Sequence, residues 1–165
     1  MAGSWWTKRV RQALRHVAGR LSATERREIR AWLSGPQLTL FERMHPADQR
    51  HGVDVVTRLR AEGHEDDDLL LAGLFHDCSK GHGVRLAHRV AWALGERYGE
   101  GVLTASARLP GFPTALEALR GHAETSARLA EEAGCSGRTA DLIRHQAAPR
   151  DPVSGTALQR ADEAT

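Results

Sequence analysis

The sequence has 165 residues, of which 41% are hydrophobic and 27% charged, and its formal net charge is +2. This length predicts one soluble globular domain, and so small a charge gives no reason to expect a nucleic-acid partner. No apolar run reaches the roughly 18 residues of a membrane-spanning helix. No apolar segment follows the basic N-terminal residues, so we expect no secretory leader. Two isolated cysteines, Cys78 and Cys135, favour a reduced cytoplasm.

Positive charge is concentrated near the N-terminus, where residues 1–30 hold eight basic side chains against two acidic ones. We expect residues 1–21 to form an amphipathic helix packed on a body made of residues 22–165. Its apolar stripe is Trp6, Val10, Leu14, Val17 and Leu21. Contact of the basic face with a membrane surface or an acidic partner is the alternative, and Trp5-Trp6 could serve a homodimer contact.

Helical patterns follow one another along the body, without a convincing alternation of β-branched residues. A capping box formed by Ser22 and Glu25 predicts a helix that stops at Gly35-Pro36. A short segment from Leu38 to Met44 follows it. Residues 47–62 then predict a further helix, which ends at a glycine.

The most apolar helix of the chain is predicted over Leu69–Phe75. An acidic run at residues 65–68 precedes it and suits a helix N-terminus by charge–dipole complementarity. Because this helix is apolar on all sides, we expect it to be central. Gly81 and Gly83 then predict a flexible loop before a helix over residues 84–98.

The last third of the chain predicts an irregular segment and three more helices. Residues 99–113 are rich in glycine and proline and should be irregular, whereas residues 114–133 predict one long helix. A helix over residues 136–146 follows, and a last helix after Pro152 reaches Asp162. The whole pattern predicts a single all-α domain.

Six imidazole and carboxylate side chains stand out in this pattern: His51, His76, Asp77, His122, His145 and Asp162. Such groups bind Fe, Mn, Zn and Mg, and six of them can hold two ions if one carboxylate bridges. They come from five helices, and each follows the apolar face of its own helix. Burying a lone carboxylate is costly unless it is paired or metal-bound, so the set predicts a shared metal site. For any one histidine, a hydrogen-bonded core position is the alternative.

Two further histidines, His82 and His88, are candidates for substrate contact, and Asp151 is an alternative to Asp162. His82 and His88 lie on the loop and helix that could overhang the site, where they would contact substrate. Asp162 lies three residues before the last residue of the sequence, where chain ends often fray. Asp151 is its nearest rival, although it precedes a proline in a loop.

The order of these residues resembles the HD-domain metal-dependent phosphohydrolase superfamily. The likeness lies within residues 47–163 and is carried by His51, Phe75-His76-Asp77-Cys78-Ser79-Lys80, Gly121-His122, Arg144-His145-Gln146 and Ala161-Asp162. It implies an HD-domain helical bundle with an extra N-terminal helix. The histidines at 122 and 145 are similar to the two-metal branch, which includes the HD-GYP cyclic-dinucleotide phosphodiesterases and small bacterial dinucleoside-tetraphosphate hydrolases. The Gly-Tyr-Pro signature is absent, and Gln146 and the N-terminal extension depart from both groups.

The resemblance implies two divalent metal ions, Fe or Mn first, with Mg, Zn or Ni as alternatives. Asp77 would bridge them, with His51, His76 and Asp162 on one ion and His122 and His145 on the other. A hydroxide between the ions would attack a phosphoester or phosphoanhydride of a nucleotide-like substrate. Lys80 would anchor the phosphate, its alternative being a surface lysine on a glycine loop.

Two other function classes stay open at this point. An HD-type di-iron oxygenase would use nearly the same ligands, and a non-catalytic sensor would bind a nucleotide without turning it over. Lys80 and the lack of a recognisable aromatic lining favour phosphate chemistry, and the intact ligand set argues against a sensor. Residues 81–90 and 99–113 should shape the pocket.

Overall fold

The computed structural model describes residues 20–81, 84 and 86–165. These residues form ten α-helices and no strand, which confirms the all-α prediction. The helices are α1 (Ala23–Trp32), α2 (Gly35–Arg43), α3 (Pro46–Ala61), α4 (Asp67–Phe75), α5 (Leu86–Tyr98), α6 (Glu100–Ser106), α7 (Phe112–Arg120), α8 (His122–Glu132), α9 (Gly137–Arg144) and α10 (Ser154–Ala164). None of them is both long and apolar enough to cross a membrane. A further helix is predicted over residues 1–21. Of these, residues 1–19 lie outside the described part.

Helix α4 lies at the centre of the molecule, as its sequence predicts. It contacts α3, α8, α9 and α10, and Leu69, Leu74 and Phe75 are at most 1% exposed. Asp66 caps its N-terminus by accepting the Asp68 N–H at 3.1 Å. Because the helix ends at Phe75, the residues that follow it leave from the most buried part of the core.

Two of the predicted helix ends are closed by glycines in the left-handed region. Gly63 has φ 87°, and the N–H groups of Gly63 and His64 donate to the carbonyls of Arg60 and Leu59. Gly134 closes α8 in the same way, with φ 84°. This Schellman pattern satisfies the last carbonyls of each helix, which explains why the glycine signals mark these ends correctly.

A second, smaller core lies in the segment between Lys80 and His122. Its buried residues are Val84, Leu103, Leu116 and Leu119, which form a cluster apart from the main core. Helices α5, α6 and α7 contact one another, and α7 contacts α8. The prediction that residues 99–113 are irregular was wrong, because α6 forms there and Leu103 packs against the α5 backbone at Gly95.

One further helix boundary differs from the predictions, and one agrees with them. Residues 114–133 do not form one helix, because α7 ends and α8 begins at Gly121, whose N–H donates to the carbonyl of Glu117. Helix α1 does stop before Gly35-Pro36, as predicted, and Gly35-Pro36 then opens α2. Proline is tolerated in the first turn because N–H groups there have no partner within the helix. The segment from Leu38 to Met44 therefore belongs largely to α2.

An ion-pair cluster joins α1 to α3. The Arg50 guanidinium on α3 contacts Glu25 and Asp54, each at 2.7 Å. Glu25 also accepts the backbone N–H of Ser22 at 2.8 Å and so completes the predicted capping box. The Ser22 N–H and then Arg50 lower the pKa of Glu25 from 4.5 to about 2.

We expect Glu25→Gln to destabilise the protein at neutral pH and to matter less in acid. A lowered carboxyl pKa contributes stability that is complete above the unfolded value of 4.5 and is lost as the pH falls towards 2. At pH 7 the loss should be about 1 kcal/mol, the usual worth of a helix cap. Urea unfolding of both proteins between pH 3 and 7 measures the gap. Glu28→Gln, an exposed change on the same helix, is the control, and a gap that stays constant with pH would contradict the prediction.

Candidate metal centre

The centre of the site is the dipeptide that follows α4. His76 is 1% exposed and Asp77 is 4% exposed, so both polar side chains lie inside the protein. His51 reaches them from α3, and the centroids of the His51 and His76 rings are 5.1 Å apart. One ligand atom from each of His51, His76 and Asp77 lies within 4.8 Å of the other two. A buried group of this composition can hold a metal ion.

The close approach of α3 to α4 is what brings His51 to His76. Beside His51, position 52 has no room for a side chain. A Cβ built at Gly52 would lie 2.4 Å from the backbone carbonyl oxygen of Leu74 on α4. Gly73 on α4 faces α3 in the same contact. A Cβ built at Gly73 would lie 3.1 Å from Cγ1 of Val55. The two glycines therefore set the distance between the helices.

Asp162 joins the group from α10, which packs on both α3 and α4. Its Oδ1 lies 2.8 Å from Nε2 of His51 and 3.4 Å from Nε2 of His76. Its rival Asp151 lies at the start of α10, where it accepts the N–H groups of Val153 and Ser154. The structure thus places Asp162, and not Asp151, beside the histidines.

His122 and His145 take different positions relative to this group. His122, the first residue of α8, places its Nε2 3.6 Å from Oδ1 of Asp77. His145 follows the last residue of α9, and the contacts described for its ring are with Asp141. Its neighbour Gln146 donates to the backbone carbonyl of His76 at 3.2 Å. The end of α9 therefore abuts the site, although the His145 ring does not contact the other five candidates among the described contacts.

Three of the histidines share one way of fixing their rings. Nδ1 of His76, His122 and His145 lies 2.9, 2.6 and 2.9 Å from a backbone carbonyl three or four residues earlier. Each carbonyl belongs to the last turn of a helix, where backbone partners run out, although the Asp141 carbonyl also accepts the His145 backbone N–H at 3.1 Å. A carbonyl oxygen can only accept a hydrogen bond, so Nδ1 carries a proton in all three rings. In His76 and His122 the other nitrogen, Nε2, lies 3.7 and 3.6 Å from the Asp77 carboxylate. This is the arrangement in which a histidine binds a metal through Nε2.

Two atoms of the group are buried without a hydrogen-bond partner. In the described part of the chain, only three side-chain N or O atoms are in this condition, and two are His76 Nε2 and Asp77 Oδ1. Leaving such an atom unsatisfied costs about 1–3 kcal/mol, and more for a charged group. A cation between them would satisfy both atoms. The donor set and this unsatisfied pair therefore fit a metal ion.

The charges of the site also favour a cation. Burial alone would raise the pKa of Asp77, but Lys80 and the nearby histidines outweigh it and hold that pKa well below the usual range. Burial alone would lower the pKa of His76, yet Asp77 and Asp162 raise it to about 9. The carboxylates thus attract positive charge to Nε2 of His76, where a metal ion would replace a proton. Burial, followed by Lys80, lowers the pKa of His122.

The predicted substrate-binding residues take three different positions. The Lys80 ammonium lies 2.5 Å from Oδ2 of Asp77, and its side chain is only 18% exposed, so it belongs to the site and not to the surface. His88, on α5, is buried, and its ring packs nearly perpendicular to the ring of Phe112, with 4.6 Å between the centroids. His82 lies outside the described residues.

Sequence reasoning missed several residues that position the ligands. Ser79 and Ser126 bond to each other between the His76-Asp77 turn and α8, and Gln146 holds the His76 carbonyl. A serine and a glutamine give no distinctive spacing signal. Gly52 could have been found from the sequence. A glycine inside a helix costs about 1 kcal/mol of stability and therefore indicates a close packing contact.

Comparison of the chain with protein-family models, curated proteins and solved structures finds no match. The molecule is all-helical in its described part and holds a buried His-His-Asp group, which is compatible with an HD-type site. Its function is therefore inferred from the residues and their geometry.

We expect Gly52→Ala to destabilise the protein by about 1–3 kcal/mol, the usual cost of overpacking. The added methyl meets the Leu74 backbone, which cannot rotate away as a side chain would, so α3 must move from α4. Urea unfolding measures the change. Gly137→Ala is the matched control, since a Cβ there meets nothing within 4 Å, and it should leave stability unchanged or slightly raised. Equal stability of the two variants would show that the helices do not need this contact.

Proposed function

We propose that this protein is an HD-type metal-dependent phosphohydrolase that cleaves a phosphoester or phosphoanhydride bond in a nucleotide-like substrate. The observation that carries the proposal is the buried His51-His76-Asp77 group, with Asp162 beside it and a lysine on its carboxylate. The resemblance of the sequence to the HD superfamily supports the same reading, because these residues follow its order.

The ligand atoms divide into two groups around Asp77. His51, His76, Asp77 and Asp162 would hold one divalent ion, for which Fe or Mn has the best-matched donors. Asp77 and His122, together with His145, would hold a second. When bound, such ions neutralise charge on the phosphoryl group and lower the pKa of water.

The protein's own groups prepare the site for this chemistry. Burial excludes bulk water from Asp77, and its cationic neighbours keep it ionised. The carbonyls at the helix ends hold His76 and His122 with Nε2 turned to the carboxylate. Lys80 has three N–H donors, and its contact with Oδ2 of Asp77 uses one of them. The others can reach a phosphate oxygen, which gives Lys80 the role of a phosphate anchor.

We expect Asp77→Ala to lose both metal binding and hydrolysis, because it removes the ligand shared by the two groups. The test begins with metal-depleted protein reconstituted with Mn²⁺, or with Fe²⁺ under anaerobic conditions. Metal content is measured with phosphate and mononucleotide release from phosphomonoesters, phosphodiesters and dinucleoside polyphosphates. The wild type should be active, and the variant should lose at least about 100-fold in rate. Asp67→Ala, an exposed aspartate at the opposite end of α4, is the control.

Three outcomes would overturn the proposal. Retention of two metal ions by Asp77→Ala would refute the ligand assignment. Oxygen consumption with a mixed-valent iron signal and no phosphate release would identify an oxygenase instead. Nucleotide binding without turnover under every metal would identify a sensor. Circular dichroism of each variant separates these results from a failure to fold.

Replacement of Lys80 should separate the phosphate-anchor role from a merely structural ion pair. Lys80→Met keeps the apolar stem of the side chain and removes the charge. The inhibition constant for inorganic phosphate should rise about 10-fold or more, because a charge-assisted hydrogen bond is worth about 1.5–3 kcal/mol. Metal affinity should be kept or increased, because a positive charge beside Asp77 is gone. Lys80→Arg, which keeps the charge, should retain phosphate inhibition. An unchanged inhibition constant in Lys80→Met would leave Lys80 as a structural partner of Asp77 only.

A further inference from the structure

We propose that the hydroxyls of Ser79 and Ser126 form a clamp that positions Asp77 against His122. The proposal rests on the proposed function, because it assigns these serines to the metal site as positioning residues. Neither serine offers an atom to a metal ion or a substrate in this arrangement. They act through the two residues whose relative position they fix.

The clamp consists of three hydrogen bonds between the turn after α4 and the first turns of α8. The backbone N–H of Ser79 donates to Oγ of Ser126 at 3.1 Å, and the Ser126 hydroxyl donates to Oγ of Ser79 at 2.9 Å. The Ser79 hydroxyl donates in turn to the backbone carbonyl of His122 at 2.9 Å. Each hydroxyl both accepts and donates, so the direction of the chain is fixed from Ser126 to Ser79 to His122.

The clamp is placed where it can control the site. Ser79 lies between Asp77 and Lys80 in the sequence, and Ser126 lies one helical turn after His122. Ser126 is fully buried at 0% exposure, so water does not compete for its hydroxyl. The Cys78 thiol adds a weaker contact to the Ser126 carbonyl at 3.7 Å. The side chains of Asp77 and His122 approach to 3.6 Å, between Oδ1 and Nε2. The hydrogen bonds of the clamp connect the backbone segments that carry these two side chains.

Sequence connectivity alone would not hold these two ligands together. Ser79 and His122 are 43 residues apart, and the segment between them folds into its own small core. Helix α7 ends at Gly121, so His122 begins a new helix instead of continuing a rigid one. The clamp is thus a direct polar link from the Asp77 turn to the residue that carries His122.

The chain offers a matched control for a buried hydroxyl. Thr139 is also 0% exposed and also bonds a neighbouring helix to α4, through Asp68 Oδ1 at 2.8 Å. Its contact lies at the N-terminal end of α4, and the Ser79 clamp lies just after the C-terminal end. Thr139→Val therefore removes a comparable bond away from the metal site.

The experiment compares Mn²⁺ binding by full-length wild type, Ser79→Ala, Ser79→Thr and Thr139→Val. Ser79→Ala should weaken Mn²⁺ binding about 10-fold, since loss of a group that orients a ligand costs 10–100-fold in metal affinity. Ser79→Thr keeps the hydroxyl and should bind within about 3-fold of the wild type. Thr139→Val should lower the unfolding midpoint without changing Mn²⁺ affinity. Equal affinities of Ser79→Ala and the wild type would overturn the clamp.

A second measurement tests the positioning of His122 by the clamp in metal-free protein. Nitrogen-15 NMR of the His122 ring in metal-free protein should show one tautomer, protonated at Nδ1, in the wild type and Ser79→Thr. In Ser79→Ala the released α7–α8 junction should give a mixture of tautomers. If the wild type binds no Mn²⁺, the proposed function fails and this spectrum alone decides the clamp. A single unchanged tautomer in Ser79→Ala would then refute it.

Discussion

The burial of the Asp77 carboxylate just past the C-terminal end of α4 is the constraint on which the rest of the structure depends. That end of a helix carries partial negative charge, so a carboxylate there is repelled as well as desolvated. The protein compensates by surrounding Asp77 with cationic or cation-binding groups, among them Lys80 at 2.5 Å and His76 at 3.7 Å. The buried His51-His76-Asp77 group could hold a metal ion, which would add to this compensating positive charge.

Helix ends solve a second problem at the same place. A metal-binding histidine must present a chosen nitrogen, and a carbonyl that lacks a partner at a helix end can make that choice by accepting from the other nitrogen. His76 bonds to Gly73 and His122 bonds to Leu119 in this way. The break at Gly121, which ends α7, therefore leaves the Leu119 carbonyl for the His122 ring. In one continuous helix that carbonyl would bond to a backbone N–H instead.

Much of this arrangement is readable from the sequence, and the rest is not, for physical reasons. The apolar run at α4 predicts its central position, because a helix without a polar face has to be covered on all sides. The carboxylate and histidine pattern likewise predicts a shared site, since burying such groups is costly unless they are paired or bind a metal. The grouping of His51 with Asp162 follows from the HD resemblance, and the two side chains lie 2.8 Å apart. The missed features depend on geometry between distant segments. Gly121 interrupts a run with good helical periodicity, and Ser126 shows a role only when Ser79 is seen beside it.

The second core contributes to the site although it supplies none of the proposed metal ligands. Bringing the ends of a flexible 43-residue segment together costs about 3 kcal/mol in chain entropy. The three hydrogen bonds of the serine clamp return about 1 kcal/mol each, so they do no more than balance that cost. Folding α5, α6 and α7 around Leu103 and Leu116 shortens the flexible part of the segment before its ends meet. The contact between Asp77 and His122 therefore depends on apolar packing outside the site as well as on the polar groups within it.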